Sequence, residues 1–409
     1  FFFLLFLIYY NNIMVGPYLR FDDGAVQFRQ RLVVAILSHR PILIRNIRSN
    51  DIESPGLRDY EASFLRLLDK LTNGTTIEIN STGTQLRLKP GILLGGDHEH
   101  NCFPEDDDDD DAMVATPNNR RRGVSWFVEG ILPLALFGKE PLTLKLFGIT
   151  DGLSNVDPSV DYISMSLLPL MRRFIIHHLD DMPPPSIQVL RRGAFPKGGG
   201  EVHFYCPIVQ SELVPLDFTD FGKIKRVRGV AISCRISPSS TARVAYSAKG
   251  VLHRLLPDVW IHTDTHTGSA KSTSNNNNKT TTTTGGCGPS PGLSLLLVAE
   301  STTGVGLCAE CSIDITQTNN NHRELPEDLG QRGAAMLLEE IRKGGCVDTT
   351  AQSFALILMC LGPEDVARIR LGTLSQYTIA SLRLFKEAFG VEFKIKADHE
   401  TKTVVLSCL

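Results

Sequence analysis

One unit is written three times along this chain. Each copy reads as an apolar helix, a turn marked by Gly or Pro, a short alternating strand, a second helix and a pair of strands. The turn-and-strand portions run from Leu37 to Ile47, from Phe137 to Phe147 and from Leu361 to Leu371. Self-similarity at a long period means a fold assembled from repeated supersecondary units, each too small to bury its own apolar face.

The first unit spans about Tyr18 to Gly96. Its spacing predicts helices over Gln27–Leu37 and Asp59–Leu71, with Tyr60, Phe64, Leu67, Leu68 and Leu71 on one stripe of the second. Strands are predicted at Ile42–Ile47, Thr76–Asn80 and Gln85–Lys89. The second unit spans about Gly123 to Pro207, with helices over Ser125–Leu136 and Val160–His177 and strands at Leu142–Phe147, Ile187–Leu190 and Glu201–Tyr205. The third spans about Gly330 to Leu409, with a helix over Ser375–Phe389 and strands at Val391–Lys396 and Val404–Leu406.

Between the second and third units the texture changes. Residues 216–322 are read as an inserted α/β domain, with strands over Arg226–Ile236 and Leu293–Ala299 and a helix over Ser240–Leu255. Large-domain repeats one and two then occupy 14–215, and repeat three 323–409. Two stretches lack the apolar content to fold and are expected to be disordered loops. One, 97–122, holds the acidic run Asp106–Asp111 and the basic triplet Arg120–Arg122, which as a functional element could touch RNA phosphate. The other, about 266–291, holds runs of Asn and Thr. Residues 1–13 are too short for a membrane span and lack a charged lead-in. They are expected to be an artefactual extension, with a membrane anchor as the second reading.

A length of 409 residues suits two or three domains of about 150 residues each. The formal net charge of −3 rules out a basic coat, so any polyanion site must be local. The nine cysteines show no disulfide framework, a pattern that fits a reducing compartment. Cys308 and Cys311 have redox or zinc spacing, but no second pair completes a four-ligand set, so a structural role is expected and no metal.

The segment Arg191-Arg-Gly-Ala-Phe-Pro-Lys-Gly-Gly-Gly-Glu201 joins basic groups to a glycine triplet. Glycines allow close backbone approach and expose amide donors, which suits a phosphate, although such a triplet can also be a tight turn between strands. The whole segment closely resembles the signature of the RNA 3′-terminal phosphate cyclase family. Ile47-Arg-Ser49, Pro55-Gly-Leu57, Pro90-Gly91 and Gly95-Gly96 fit the same pattern. The resemblance implies an α+β fold: three repeats of a four-stranded sheet with two helices, and a smaller inserted domain.

The departures from that pattern point to function. Active members attack ATP with a histidine at the start of the helix before the last strands, and Tyr377 stands there. A phenol of pKa about 10 replaces an imidazole near 6.5. In Asp22-Asp-Gly-Ala-Val-Gln-Phe-Arg29 one glycine of three survives. Asp51 stands at a family arginine, Tyr60-Glu61 at a Gln-His pair, and Ala351 at an acidic residue. This combination resembles the non-catalytic, cyclase-like branch, whose members are ribosome-biogenesis factors. Gly345-Cys-Val-Asp348 and Leu361-Gly-Pro-Glu-Asp365 look like that branch.

The resemblance therefore implies a nucleolar protein of the nucleus, acting in pre-rRNA processing towards small-subunit rRNA without a cofactor. Its implied partners are a large GTPase of ribosome assembly and a precursor particle containing pre-rRNA and small nucleolar RNA. The chain is expected to be a monomer within that complex. No catalytic residue is assigned. The expected anion or RNA contacts are Arg29, Arg48, Arg191, Arg192, Lys197, Gly198, Gly199 and Gly200, with Arg383 and Lys386 bordering the same cleft. Two enzymatic alternatives stay open: an endonuclease cutting precursor rRNA, and a surviving cyclase. The nuclease would need an acid and base or metals, and the adjacent His177-His178 do not form an obvious pair.

Overall fold

Each repeat begins one strand earlier than its sequence signature. The computed structural model describes residues 18–102, 121–153, 156–179, 182–210, 212–268, 286–313, 324–363 and 367–408. Repeat one runs β1 (Leu19–Phe21), α1 (Phe28–Ser38), β2 (Ile42–Ile44), α2 (Asp59–Leu71), β3 (Thr76–Ile79) and β4 (Leu86–Lys89). β1 lies parallel to β2, and the sheet order is β1-β2-β4-β3.

Repeat two runs β5 (Gly96–Asn101), α3 (Val124–Ala135), β6 (Leu142–Gly148), a second helix, β7 (Ser186–Arg191) and β8 (Gly200–Cys206), in the same order, β5-β6-β8-β7. Its second helix starts as α4 (Val160–Tyr162), widens into the π-helix Ile163–Leu167 and continues over Leu168–Phe174. Pro169 cannot donate to Met165, and the wide turn sits where that bond is missing.

Repeat three opens with β9 (Asp217–Phe218), and the chain then leaves for the insert. The insert is β10 (Ile224–Cys234), α5 (Pro238–Leu252), β11 (Val259–His266), β12 (Gly292–Ser301), β13 (Gly306–Ser312) and α6 (Pro326–Lys343). The chain returns as α7 (Gln352–Cys360), β14 (Ala367–Leu371), α8 (Gln376–Phe389), β15 (Phe393–Asp398) and β16 (Thr403–Cys408). The third sheet again reads β9-β14-β16-β15.

These placements correct three expectations. Asp97–Asn101, expected in a loop, forms most of β5, whose backbone pairs in parallel with β6. Its polar sequence hides the strand because only His100 is buried. The segment 286–291, expected in the second loop, also differs. It docks instead: Cys287 bridges to Arg192, and Ser290 is buried and accepts from the Lys197 amide at 3.0 Å. Most of both loops, 103–120 and 269–285, lies outside the described residues, as does 1–13. Third, the inserted layer does not run 216–322. β9 belongs to the third sheet. At the other end α6 packs Leu329, Ala334 and Leu337 into the insert's own core with Leu293, Leu295 and Leu297. Gly330 and Gly333 allow that approach, since a Cβ at Gly330 would meet the Val244 carbonyl oxygen at 2.4 Å. Among the described residues no helix is long and apolar enough to cross a membrane.

One face of the insert sheet is covered by α5 and α6. The other sends Leu296 and Val298 into the main core. Cys308 and Cys311 are free and buried, three positions apart on β13. The strand's period of two sends Cys308 to the main core and Cys311 to the insert's core, on opposite faces.

Polar links complete the seam. Buried Arg192 pairs with Asp161 of repeat two and, at 3.0 Å, with Asp264 of the insert. Glu310 on β13 accepts from the Ser159 amide at 2.8 Å, at the N-terminus of α4. Replacing Arg192 by Ala strands these carboxylates and is expected to cost about 3–5 kcal/mol in urea unfolding. Desolvation raises the Glu310 carboxyl from 4.5 to about 7. Between those values the folded chain keeps a proton that the unfolded chain has released, so stability falls as pH rises across that window. Glu310→Gln is expected to match the wild type in urea melts near pH 4.5. At about pH 8 it is expected to be the more stable of the two.

Candidate functional site

Four helix N-termini converge where the three repeats meet. They belong to α1 with N-cap Gln27, α2 with Arg58, α3 with Gly123 and α8 with Ser375. Their first turns line a cleft of about 470 Å³, closed on one side by Val156–Pro158 and Thr349–Thr350. Unpaired amides and aligned peptide dipoles make such a junction attractive to negative charge.

The chain supplies much of that negative charge itself. Arg29, 5 % exposed on the first turn of α1, donates to Glu129 at 2.7 Å and to the Trp126 carbonyl. Its guanidinium lies 5.0 Å from the Trp126 ring centroid. Arg48, in the loop after β2 with φ 44°, grips Glu61 with two bonds of 2.7 Å and the Gly56 carbonyl with one of 3.0 Å. Glu61 also accepts from the Arg58 amide at 2.9 Å, capping α2. Arg122 pairs with Asp157 at 3.2 Å and rests against the rings of Tyr60 and Trp126. Three guanidinium groups thus face three carboxylates, all lining one cleft.

Tyr377 sits in the first turn of α8 and closes this network. With its amide oxygen turned inward, Gln30 accepts from the Tyr377 hydroxyl, from Arg29 Nη2 at 2.8 Å and from Arg29 Nε at 3.2 Å. Desolvation pushes the phenol up to about 12, so it stays protonated through neutral pH. Gln27 ties α1 to α8 by donating to Ser381 Oγ at 2.9 Å and to the Tyr377 carbonyl at 3.3 Å. The surviving Gly24 has φ 70°, and a Cβ there would meet the Asn46 carbonyl oxygen at 2.7 Å. Asp51 pairs with Arg58 at 2.8 Å.

The structure brings together Arg29, Arg48 and Tyr377 from the sequence-derived set. No residue from 191 to 200 lines the cleft. Arg191 is exposed at the end of β7, and Arg192 is spent at the insert seam. Gly198–Gly200, beside Lys197, packs that seam: a Cβ at Gly200 would meet Thr150 Cγ2 at 2.5 Å, and one at Gly288 the Gly198 carbonyl oxygen at 1.8 Å. The triplet here serves close backbone packing. Arg383 and Lys386 do not border the cleft. At about 100° per residue they lie roughly 120° and 180° around α8 from Tyr377. Both are exposed, and Lys386 pairs with Glu392 at 2.7 Å.

Sequence reasoning missed Trp126, Glu129 and Asp157, and read Arg122 as part of a loop. One signal was available: Glu129 is the lone charge in the apolar run Val124–Ala135, where a buried carboxylate demands a partner.

Comparison with known proteins covers nearly the whole molecule. A family model described as RNA 3′-terminal phosphate cyclase matches residues 21–395. The chain is 46% identical over 373 residues to the human RNA 3′-terminal phosphate cyclase-like protein, covering 91% of this chain and 89% of that one. It is 43% identical over 396 residues to a probable cyclase-like protein of Dictyostelium discoideum, covering 95% and 96%. It is 39% identical over 389 residues to the Schizosaccharomyces pombe rRNA processing protein rcl1, covering 94% of each.

The balance of charge in the cleft predicts weak binding of inorganic triphosphate. Glu61→Gln, which keeps an acceptor for the Arg58 amide but frees the Arg48 guanidinium, is expected to tighten that binding about tenfold, or ~1.4 kcal/mol. Isothermal titration calorimetry measures it, and an unchanged affinity would show that Arg48 remains engaged.

Proposed function

Because this chain belongs to the RNA 3′-terminal phosphate cyclase family, we propose that it serves rRNA processing as a non-catalytic factor of the early small-subunit precursor. On this reading it works in the nucleolus, docked to a large GTPase of ribosome assembly and to pre-rRNA within a particle that contains small nucleolar RNA. The observation that carries the reading is its end-to-end likeness to a relative named for rRNA processing.

The cleft supports the absence of adenylation. An imidazole offers a strongly nucleophilic lone pair at neutral pH, whereas the phenol of Tyr377, near 12, keeps its proton and is a weak nucleophile unless a base removes it. A polyphosphate also needs unmatched positive charge. Here each of Arg29, Arg48 and Arg122 already holds a carboxylate, so a triphosphate would bring its charge beside Glu61, Glu129 and Asp157. The same pairs stiffen the junction between repeats, which suits a scaffold that presents fixed surfaces.

Two measurements test this. Purified protein incubated with labelled ATP is expected to carry no covalent nucleotide, and Tyr377→His alone is expected not to restore it, because the arginines remain paired. In cells depleted of the endogenous protein, Tyr377→Phe is expected to restore small-subunit precursor processing as well as the wild type, read by northern blot. A folded Tyr377→Phe protein that failed to rescue would assign the phenol a chemical role and sink the non-catalytic reading.

A further inference from the structure

The three repeat sheets share one strand order, so their outward faces can be compared position by position. In the third sheet the pairs Ala367↔Cys408, Ile369↔Leu406 and Leu371↔Val404 face the core. Alternation then sends Arg368↔Ser407 and Arg370↔Val405 outward. On the neighbouring strand Lys394 lies opposite Ser407, and Lys396 opposite Val405. Two cross-strand rows result, Arg368–Ser407–Lys394 and Arg370–Val405–Lys396. Four cations stand at the corners of a patch with small side chains between them. Sheet geometry spaces them about 6.6 Å apart along a strand and about 9.6 Å apart across two strands.

Little opposes this charge. Arg370 is held by Asp398 at 2.9 Å and Thr403 Oγ1 at 2.8 Å, which fixes one corner. Asp217 lies beside Arg368 on β9 and accepts from Thr219 Oγ1 at 2.9 Å. Arg368, Lys394 and Lys396 are exposed, and among the described residues no ion pair engages them. The other two sheets differ. The second carries Asp97, Glu99 and Glu201 outward against Lys145 and Arg191, with Lys145 paired to Glu99 at 2.6 Å. The first carries Arg20, Arg87 and Lys89, but Arg87 is paired with Glu78 at 3.3 Å and apolar Leu43 lies between it and Arg20. Like charges set across a sheet repel, at a cost that a polyanion lying on them relieves.

We propose that the outward face of the third sheet binds the sugar–phosphate backbone of RNA, through Arg368, Lys394 and Lys396 around the fixed Arg370. The choice of RNA as the polyanion rests on the rRNA-processing reading above. The face carries no aromatic ring, and Ser407 and Val405 leave it flat, so it offers charge to phosphates and no stacking platform to bases. Binding is therefore sequence-independent and strongly salt-dependent.

Fluorescence anisotropy of a labelled oligouridylate with the full chain, over a range of salt, tests this. The triple variant Arg368→Gln, Lys394→Gln, Lys396→Gln is expected to bind at least tenfold more weakly at moderate salt. Its plot of log affinity against log salt should be shallower by about 2, from three phosphate contacts at about 0.7 each. Lys145→Gln on the second sheet should behave as the wild type. The replaced side chains are exposed, so the triple variant should keep the wild-type melting temperature. If it does not fold, single Lys394→Gln and Lys396→Gln variants should each remove about 0.7 of the slope. A folded triple variant that binds as the wild type overturns the proposal. So does a polyglutamate that competes as well as RNA of equal charge, which would make the partner an acidic protein. Wild-type protein that binds no RNA yet restores precursor processing in depleted cells would remove this surface and leave the processing role standing. RNA binding without rescue would do the reverse.

Discussion

Each of the three sheets has only one apolar face, and everything else follows from covering it. A sheet that is apolar on one face must bury that face against another layer. Each lays two helices over its inner face, and the helices of different repeats then pack on one another. The result is a single core running from Leu19 to Cys408 through all three repeats. Because helices meet in the middle, their N-termini can gather in one place, and the sheets are left facing outward. The cleft and the charged sheet faces are two products of that one arrangement.

The contacts that lock the repeats are polar as well as apolar. Arg40 donates to the Glu387 and Ala388 carbonyls at the end of α8, joining repeats one and three. Asp348 accepts from Tyr162 at 2.7 Å and Ser166 at 3.0 Å in repeat two, and from the Ala351 amide at 3.0 Å at the start of α7. A buried carboxylate so placed must keep its partners or pay heavily for desolvation. The cleft obeys the same rule. Its arginines are buried enough to need counter-charges, and the chain provides Glu61, Glu129 and Asp157. The cleft thus answers its own electrostatic demand. On the outside of the third sheet, by contrast, only Arg370 is ion-paired among the described residues, and Arg368, Lys394 and Lys396 are not.

Most helices and the central strands were legible because their period reports burial directly. Asp59–Leu71 shows five apolar residues on one stripe, and the central strand β6 alternates buried and half-buried positions along its length. The first strand of each repeat was not. β1 has three residues and β9 two, too few for any period. β5 is polar at nearly every position because its backbone pairing, not its side chains, holds it. The insert's last helix was assigned to the third repeat because its apolar stripe does not say which sheet it covers. The same blindness affected the glycine triplet. Its conformational freedom was plain in the sequence, but whether that freedom served a phosphate or the backbone of Gly288 depended on what lay opposite.

The sequence by itself determined the repeat, the family, the α+β class and the presence of a phenol at Tyr377, since these are properties of residue order and local spacing. Tertiary structure alone decided which charges meet. Arg29 and Glu129 are 100 positions apart, and Arg192 reaches 72 positions to Asp264. No local period records such a pair, because electrostatic matching acts through space between helices whose approach is set by the shared core.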